Sequence, residues 1–242
     1  MWSAALWGGL AGSAVLLGAI IGIYLNIKKN YIGYIMAFGT GTLIGAASFE
    51  LLTQSVDHGG INITTISFLI GASIFTVADI IIAKKGGKER KRSRENPINH
   101  SGLAIFIGTV IDAIPESMII GVSLIGGQHV SWLLVIAIFI SNFPEGLSSS
   151  TGLKKDGYSN KKILILWFLV FILSIVSSIV GYYFFQQASS KLVASISAFA
   201  AGGIVAMVSS TMMPEAYEEG GPVIGFIAAV GLILSLILTN IE

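Results

Sequence analysis

The sequence predicts an all-α polytopic membrane protein with eight transmembrane helices. Hydrophobic residues make up 54% of the 242 residues and charged residues only 11%, whereas a soluble domain carries about 25% charged residues. The apolar residues also form continuous runs of about 20 residues, the length that a helix needs to cross a bilayer. A chain of this composition cannot cover a water-facing surface, so a soluble fold is excluded.

Eight apolar runs follow one another along the chain. They predict helices rather than β-barrel strands, because they are continuous and lack the short alternating segments of such strands. The first run lacks the basic segment of a signal peptide and is kept as a helix. The runs cover residues 3–25, 32–54, 63–83, 101–125, 130–152, 163–185, 192–213 and 222–239. Residues 1–242 are therefore predicted to form one transmembrane domain.

The basic residues predict the orientation of the chain. Of the 14 Lys and Arg residues, only Lys191 lies in an even-numbered connection. Because basic residues favour the cytoplasmic side, both termini are predicted to be extracytoplasmic, in a multi-pass protein of the plasma membrane. The longest connection, residues 84–100, is predicted to be a basic cytoplasmic loop between the third and fourth helices that anchors the topology. Contact with anionic lipid is the alternative role for this loop.

Two of the runs carry a Pro-Glu pair near their middle. The fourth run reads Ile-Asp-Ala-Ile-Pro-Glu-Ser from Ile111, and the fifth reads Ile-Ser-Asn-Phe-Pro-Glu-Gly from Ile140. A carboxylate at this depth costs several kcal/mol unless it faces a cavity, an opposite charge or a bound cation. A proline leaves one backbone carbonyl without its donor in the helix. Both runs combine a costly proline and a costly carboxylate in the same order, and this repetition indicates a functional site.

A second internal correspondence relates the second and seventh runs. Residues 37–41 match residues 198–202, and Ser48 then matches Ser209. In the predicted orientation, the members of each matched pair cross the membrane in opposite directions. Inverted repeats of this kind, here in a 3+2+3 arrangement of helices, build transporters whose substrate site lies near the midplane.

The side chains around the two prolines are suited to binding a metal cation. Asp112 and Glu116 are one turn apart and share a helix face, and Ser141 and Glu145 repeat this spacing on the next helix. Three carboxylates in a low-dielectric space repel one another unless they are protonated or hold a divalent cation. Binding of the cation and its release, with protonation competing, is the simplest mechanism. The alternative is that the prolines are packing kinks and the acids are neutral and hydrogen-bonded to Ser and Asn side chains.

Three stretches resemble the ZIP (Zrt/Irt-like) family of divalent metal transporters. They are Asn-Phe-Pro-Glu-Gly at 142–146, Gly-Ala-Ala-Ser-Phe-Glu-Leu-Leu at 45–52 and Met-Pro-Glu at 213–215. The resemblance covers most of the chain, including the eight predicted helices and the long third connection. It implies alternating access, in which helices one, four, five and six hold the cation and the other four move against them.

The resemblance also implies which residues bind the cation. The candidate metal ligands are Asp112, Glu116, Ser141, Asn142 and Glu145. Where the family usually has histidine, this chain has Asp112 and Ser141, so its donors are all oxygen atoms. Because oxygen donors suit harder ions than imidazole does, Mn²⁺ and Fe²⁺ are expected as substrates beside Zn²⁺. One metal site is expected rather than two, because Ala113 and Asn142 replace ligands of the family's second site.

Further residues define candidate entry and exit points and alternative functions. Glu50, Asp57 and His58 are candidates for the entrance, and Glu215 for the exit. Transport toward the cytoplasm is expected, and a transport-inactive relative that acts as a metal sensor or scaffold is the alternative. An enzyme is not expected, because the chain has neither a Gly-x-Gly-Asp aspartate context nor a His-Glu-x-x-His motif. The expected partners are the lipid bilayer and the metal substrate, with no nucleic acid, and a homodimer is the candidate assembly.

Overall fold

The computed structural model describes residues 1–25, 27–84, 101–125 and 130–241, and these residues form helices and turns without a β-strand. The helices are α1 (Trp2–Tyr24), α2 (Lys29–Gly45), α3 (Thr53–Lys84), α4 (Ser101–Ser123), α5 (Trp132–Lys155), α6 (Asn160–Phe185), α7 (Ser190–Met207), α8 (Met213–Gly220) and α9 (Ile224–Thr239). A π-helical segment, Ala46–Leu52, joins α2 to α3, and another, Val208–Met212, joins α7 to α8. The all-α prediction is confirmed for this part of the chain. The predicted basic loop lies, apart from Lys84, outside the described residues.

Six helical stretches among the described residues are long and apolar enough to cross a membrane. Two of them, Lys29–Ile81 with 53 residues and Ser190–Thr239 with 50 residues, exceed the roughly 20 residues that one crossing requires. The chain is thus a multi-pass membrane protein. Each of the two long stretches contains a glycine at which the helix is interrupted, and these glycines determine the direction of the chain.

The first long stretch folds back at Gly60. This glycine has a φ of 77° and a ψ of 163°, a conformation that L side chains rarely adopt. Ser55 and Thr64 lie nine residues apart on either side of it, and their hydroxyl oxygens are 2.8 Å apart. Nine residues of straight helix would separate them by about 13 Å, so the chain reverses direction here.

The second long stretch is broken at Gly221, which has a φ of 70°. The end of α8 at Gly220 lies against Gly33 in the first turns of α2. Further along, the hydroxyl of Ser235 donates a 2.9 Å hydrogen bond to the carbonyl oxygen of Thr42. The α9 helix therefore runs parallel to α2 from the point where α8 ends.

The helices pack as two bundles. The first bundle contains α1, α4, α5 and α6, and the second contains α2, α3, α7, α8 and α9 with both π segments. Glycines allow the closest approaches: Gly146 of α5 lies against the carbonyl oxygen of Val15 in α1, and Gly202 of α7 against that of Phe68 in α3. Small residues at such contacts are the usual means of helix association in membranes. The main contact between the bundles is that of α5 with α2.

The second bundle repeats its own geometry along the chain. Gly60 and Gly221, the two reversal points, are separated by the same number of residues as the matched positions 41 and 202. The two π segments also overlap at this spacing. Gly71 of α3 lies against the carbonyl oxygen of Phe199, and Gly231 of α9 lies against that of Phe38 at the matched position. The sequence correspondence is therefore reproduced in backbone conformation and in packing.

The bundles have two distinct ends. At one end, called the basic side, Lys29 forms an ion pair with Glu219 at 3.7 Å. There Lys154 at the end of α5 also donates a 2.7 Å hydrogen bond to the carbonyl oxygen of Ile23 at the end of α1. The other end, called the opposite side, contains the turn at Gly60 and the connection between α6 and α7.

Candidate metal site

Two acidic residues of α4 border a mostly apolar cavity between the bundles. Asp112 and Glu116 are only 4% and 5% exposed, and both line a cavity of about 220 Å³ between α3, α4 and α7. Its remaining walls are Gly71, Ile74, Phe75, Ala78, Ile111, Pro115, Ile119, Phe199, Ala200, Gly203, Ile204 and Met207. Because a water molecule takes up about 30 Å³, the cavity has room for a cation with part of its hydration shell.

Pro115 lies inside α4 and Pro144 inside α5, as predicted. Each proline lacks the N–H that would bond the carbonyl four residues earlier, which is that of Ile111 or Ile140. The Ile140 carbonyl faces α2, since a Cβ added at Gly39 would lie 3.2 Å from its oxygen. The prolines therefore supply backbone oxygen atoms next to the carboxylates, where a cation could use them.

The candidate ligands of α5 are buried against the second bundle. Ser141, Asn142 and Glu145 are at most 3% exposed. A Cβ added at Gly39 of α2 would lie only 3.0 Å from the Cα of Ser141, so the two backbones are in close contact. The Ser141 hydroxyl donates a 3.0 Å hydrogen bond to the carbonyl oxygen of Ile138. It therefore binds within its own helix in this conformation.

The two halves of the predicted site face different parts of the second bundle. Asp112 and Glu116 line the cavity toward α3 and α7, while Ser141 packs on α2. Within the described ranges, no group of three or more His, Cys, Asp or Glu side chains is arranged to hold a metal ion. A cage in which carboxylates of α4 and α5 share one cation thus stays a prediction, and it requires a change from this conformation.

A second cavity, called the vestibule, lies on the opposite side. It has a volume of about 330 Å³ and is lined by Glu50, Leu51, Gln54, His58, Ile119, Val122, Ser123, Ile125, Gln186, Ala188, Ser190, Val193, Ala194 and Ser197. The side chain of Gln54 donates a 2.5 Å hydrogen bond to Glu50. Ile119 also lines the cavity of Asp112 and Glu116, so the two cavities are adjacent. Of the candidate entrance residues, Glu50 and His58 line the vestibule, whereas Asp57 is exposed and lies outside its lining.

Glu215, the candidate exit residue, lies within a helix and not at the end of one. The predicted helix stopped at residue 213, but the helical path continues from α7 through the π segment and α8 to Gly220. The π segment makes the continuation feasible, because Pro214 at the start of α8 follows a widened turn that already interrupts the regular hydrogen bonding. Glu215 is 3% exposed and accepts a 3.1 Å hydrogen bond from the hydroxyl of Ser148.

Ser148 and Gln54 are polar residues of this interface that the sequence analysis did not identify. Ser148 lies three residues after Glu145 and seven after Ser141, so it continues the same face of α5. Gln54 occupies the position in the first long stretch that matches Glu215 in the second. Two sequence features point to these residues. A run of four hydroxyl residues at 148–151 inside an apolar helix indicates Ser148, and the internal match, extended beyond residue 48, pairs Gln54 with Glu215.

Comparison with known proteins gives one relative and no family model. No family model matches the chain. The chain is similar to an Arabidopsis thaliana protein named "Putative zinc transporter", with 27% identity over 212 residues. The match covers 87% of this chain and 34% of that protein, so the chain spans about a third of the length of the curated relative.

Proposed function

We propose that this protein carries divalent metal cations across a membrane, toward the cytoplasm, through a carboxylate site between α4 and α5. The observation that carries the proposal is the burial of Asp112, Glu116 and Glu145 in two membrane-length helices, beside prolines that release backbone carbonyls. Carboxylates at this depth mark ion pathways when they line a cavity. Asp112 and Glu116 border such a cavity, and their carboxylate oxygens at Oδ2, Oε1 and Oε2 are covered by protein in this conformation.

The proposed substrates are Zn²⁺, Mn²⁺ and Fe²⁺. The name of the relative supports zinc, whereas the donor set of carboxylates, a hydroxyl, an amide and backbone carbonyls suits harder ions. The proposed ligands are Asp112, Glu116, Ser141 and Glu145, with Asn142 beside them. We propose one metal site, because Ala113 has no donor atom at the adjacent position.

The proposed topology has eight crossings. The reversals at Gly60 and Gly221 divide the two long helical stretches into two crossings each, which adds two to the six membrane-length stretches. The basic side is cytoplasmic by the positive-inside rule, so both termini lie outside the plasma membrane. The vestibule is then the outer entrance, with Glu50 and His58 on its wall.

The proposed mechanism is alternating access between the two bundles. Cations enter through the vestibule and reach Asp112 and Glu116 after Ile119 moves aside. The side chains of Glu145 and Ser141, on the neighbouring helix of the same bundle, turn toward the cation, and the first bundle then shifts against the second and opens the basic side. The internal repeat supports this mechanism, since two equivalent interfaces allow two equivalent conformations.

Uptake into proteoliposomes tests the proposal. Purified protein is expected to carry Zn²⁺ or Mn²⁺ into vesicles, and Glu116→Gln or Glu145→Gln is expected to lower the initial rate at least tenfold, because each removes a charge from a low-dielectric site. Glu218→Gln is the matched control, because this carboxylate is exposed and its variant should keep wild-type flux. Equal flux in wild type and both site variants would refute the site.

A transport-inactive sensor or scaffold is the second candidate function. It would use the same buried carboxylates to bind a cation without the rearrangement that transport requires. A sensor would bind cations in a calorimetric titration, lose that binding in Glu116→Gln, and give no flux above that of protein-free vesicles. Flux through the wild-type protein would exclude this candidate.

A further inference from the structure

One buried hydrogen bond joins the two bundles toward the basic side. The Ser148 hydroxyl of α5 donates to Oε1 of Glu215 in α8 over 3.1 Å. Glu215 is 3% exposed and Ser148 is 4% exposed. A hydrogen bond to a buried carboxylate is stronger than one between neutral groups, and here it links helices from different bundles.

The same face of α5 is closed against α2 near the proposed site. Gly39 brings the α2 backbone onto Ser141, seven residues before Ser148 on α5. The side chain of Glu145 lies between these two contacts on the helix face. The interface of α5 with α2 and α8 is therefore shut on the way from Glu145 to the basic side.

The matching interface on the other half of the molecule is open. The internal match pairs Ser141 with Asp112 and Gly39 with position 200, and Asp112 and Ala200 both line the 220 Å³ cavity. It also pairs Ser148 with Ile119 and Glu215 with Gln54, and these two line the 330 Å³ vestibule. Positions that touch on one side of the repeat thus line a shared cavity on the other.

We propose that Ser148 and Glu215 form the inner gate of the protein. Their hydrogen bond exists when the basic side is shut and the vestibule is open, and it breaks when α5 moves away from α8. Ser148 is then a positioning residue that sets the balance between two conformations. The name gate rests on the proposed transport function, but the gate can be tested without transport.

The chain has no cysteine, so one engineered thiol can report access from either side. Ser141→Cys places this thiol on the far side of the gate as seen from the basic side. Asn142→Cys is the second reporter if the Ser141→Cys protein does not insert into the membrane. Membrane vesicles of both orientations are treated with a membrane-impermeant maleimide. Lys155→Cys, at an exposed position of the basic side, identifies the vesicles in which that side faces the reagent.

Loss of the hydrogen bond is expected to open the basic side. Labelling of the reporter from that side should become about tenfold faster in Ser148→Ala and in Glu215→Ala, because a bond present in one conformation shifts the equilibrium by its own contribution. Glu215→Gln keeps an acceptor oxygen and should label more slowly than Glu215→Ala. Ser150→Ala is the matched control: Ser150 is a buried serine of α5 whose hydroxyl makes no hydrogen bond to the described residues, and its loss should leave the rate unchanged.

Two results separate this proposal from the transport function. Faster labelling in Ser148→Ala with no cation flux through the wild-type protein would support the gate and refute transport. Cation flux through the wild-type protein, with equal labelling rates in Ser148→Ala, Ser150→Ala and the parent, would overturn the gate and leave transport in place.

Discussion

At the scale of single residues, the proposed metal site of α4 and α5 is built from oxygen donors. Asp112, Glu116 and Glu145 contribute carboxylates and Ser141 a hydroxyl, all buried in apolar surroundings. An imidazole ligand would favour Zn²⁺, while oxygen donors favour harder ions such as Mn²⁺. The proposed donor set therefore predicts a preference for Mn²⁺ over Zn²⁺, and this preference can be measured.

Replacement of Asp112 by His should shift selectivity toward zinc. The Asp112 side chain lines a cavity of about 220 Å³, so an imidazole can be accommodated, and its nitrogen is a preferred zinc donor. The ratio of Zn²⁺ to Mn²⁺ uptake is expected to rise several-fold in a competition assay with both ions. Asp112→Asn is the control, because it removes the charge without adding nitrogen ligation to zinc. It should lower the uptake of both ions, and an unchanged ratio in Asp112→His would place position 112 outside the coordination sphere.

At the scale of helices, glycines determine how closely the backbones approach. A Cβ at Gly202 would overlap the carbonyl oxygen of Phe68, whereas the space around the adjacent Gly203 is open to 4 Å. Two neighbouring glycines of α7 therefore have different roles. One permits contact with α3, and the other lines the cavity between the bundles.

This difference predicts opposite outcomes for two alanine substitutions. Gly202→Ala should lower the stability of the folded protein by about 1–3 kcal/mol, since backbone shifts must relieve the overlap. Gly203→Ala should be neutral or slightly stabilising, because Ala is the better helix former. Thermal unfolding of both variants in detergent, followed by loss of the monodisperse peak, gives the comparison. Equal melting temperatures would mean that the α3–α7 contact is looser than in this structure.

Much of the helical structure follows from hydropathy, but the helix ends do not. Runs of about 20 apolar residues predict helices because no other local structure satisfies the backbone in lipid. Residues 55–59 and 214–220 were predicted as connections because they are polar, yet both are helical. Hydropathy marks where the apolar layer ends, while the hydrogen bonding of the helix continues until Gly60 or Gly221 breaks it. Glu215 was misplaced at a helix end for this reason.

The candidate site was predictable in its residue types and not in its arrangement. The burial of Asp112, Glu116, Ser141, Asn142 and Glu145 follows from polar groups inside apolar runs, which must face the protein interior. Their distribution over two interfaces depends on which bundle contacts are formed. The Ser148–Glu215 hydrogen bond joins residues 67 positions apart, and no local pattern indicates such a pairing.

At the scale of the whole molecule, a nearly symmetric chain adopts an asymmetric structure. The repeat provides two equivalent interfaces between the bundles, one through α5 with α2 and α8, and one through α4 with α3 and α7. Only the first is closed here. Two packings of equivalent interfaces differ by a small free energy, so the sequence alone does not predict which is populated.

The symmetry predicts a second conformation in which the closed and open interfaces exchange. In that state Gln54 should approach Ile119 as Glu215 approaches Ser148 here, because the two pairs match in the repeat. In the cysteine-free chain, the double variants Ser148→Cys/Glu215→Cys and Gln54→Cys/Ile119→Cys are each expected to react with a short bifunctional thiol reagent. The variant with all four substitutions should form either cross-link but never both in one molecule, as measured by mass spectrometry of intact protein and of peptides. Molecules that carry both cross-links would show that the two interfaces close independently, and the bundles would then not move as two rigid bodies.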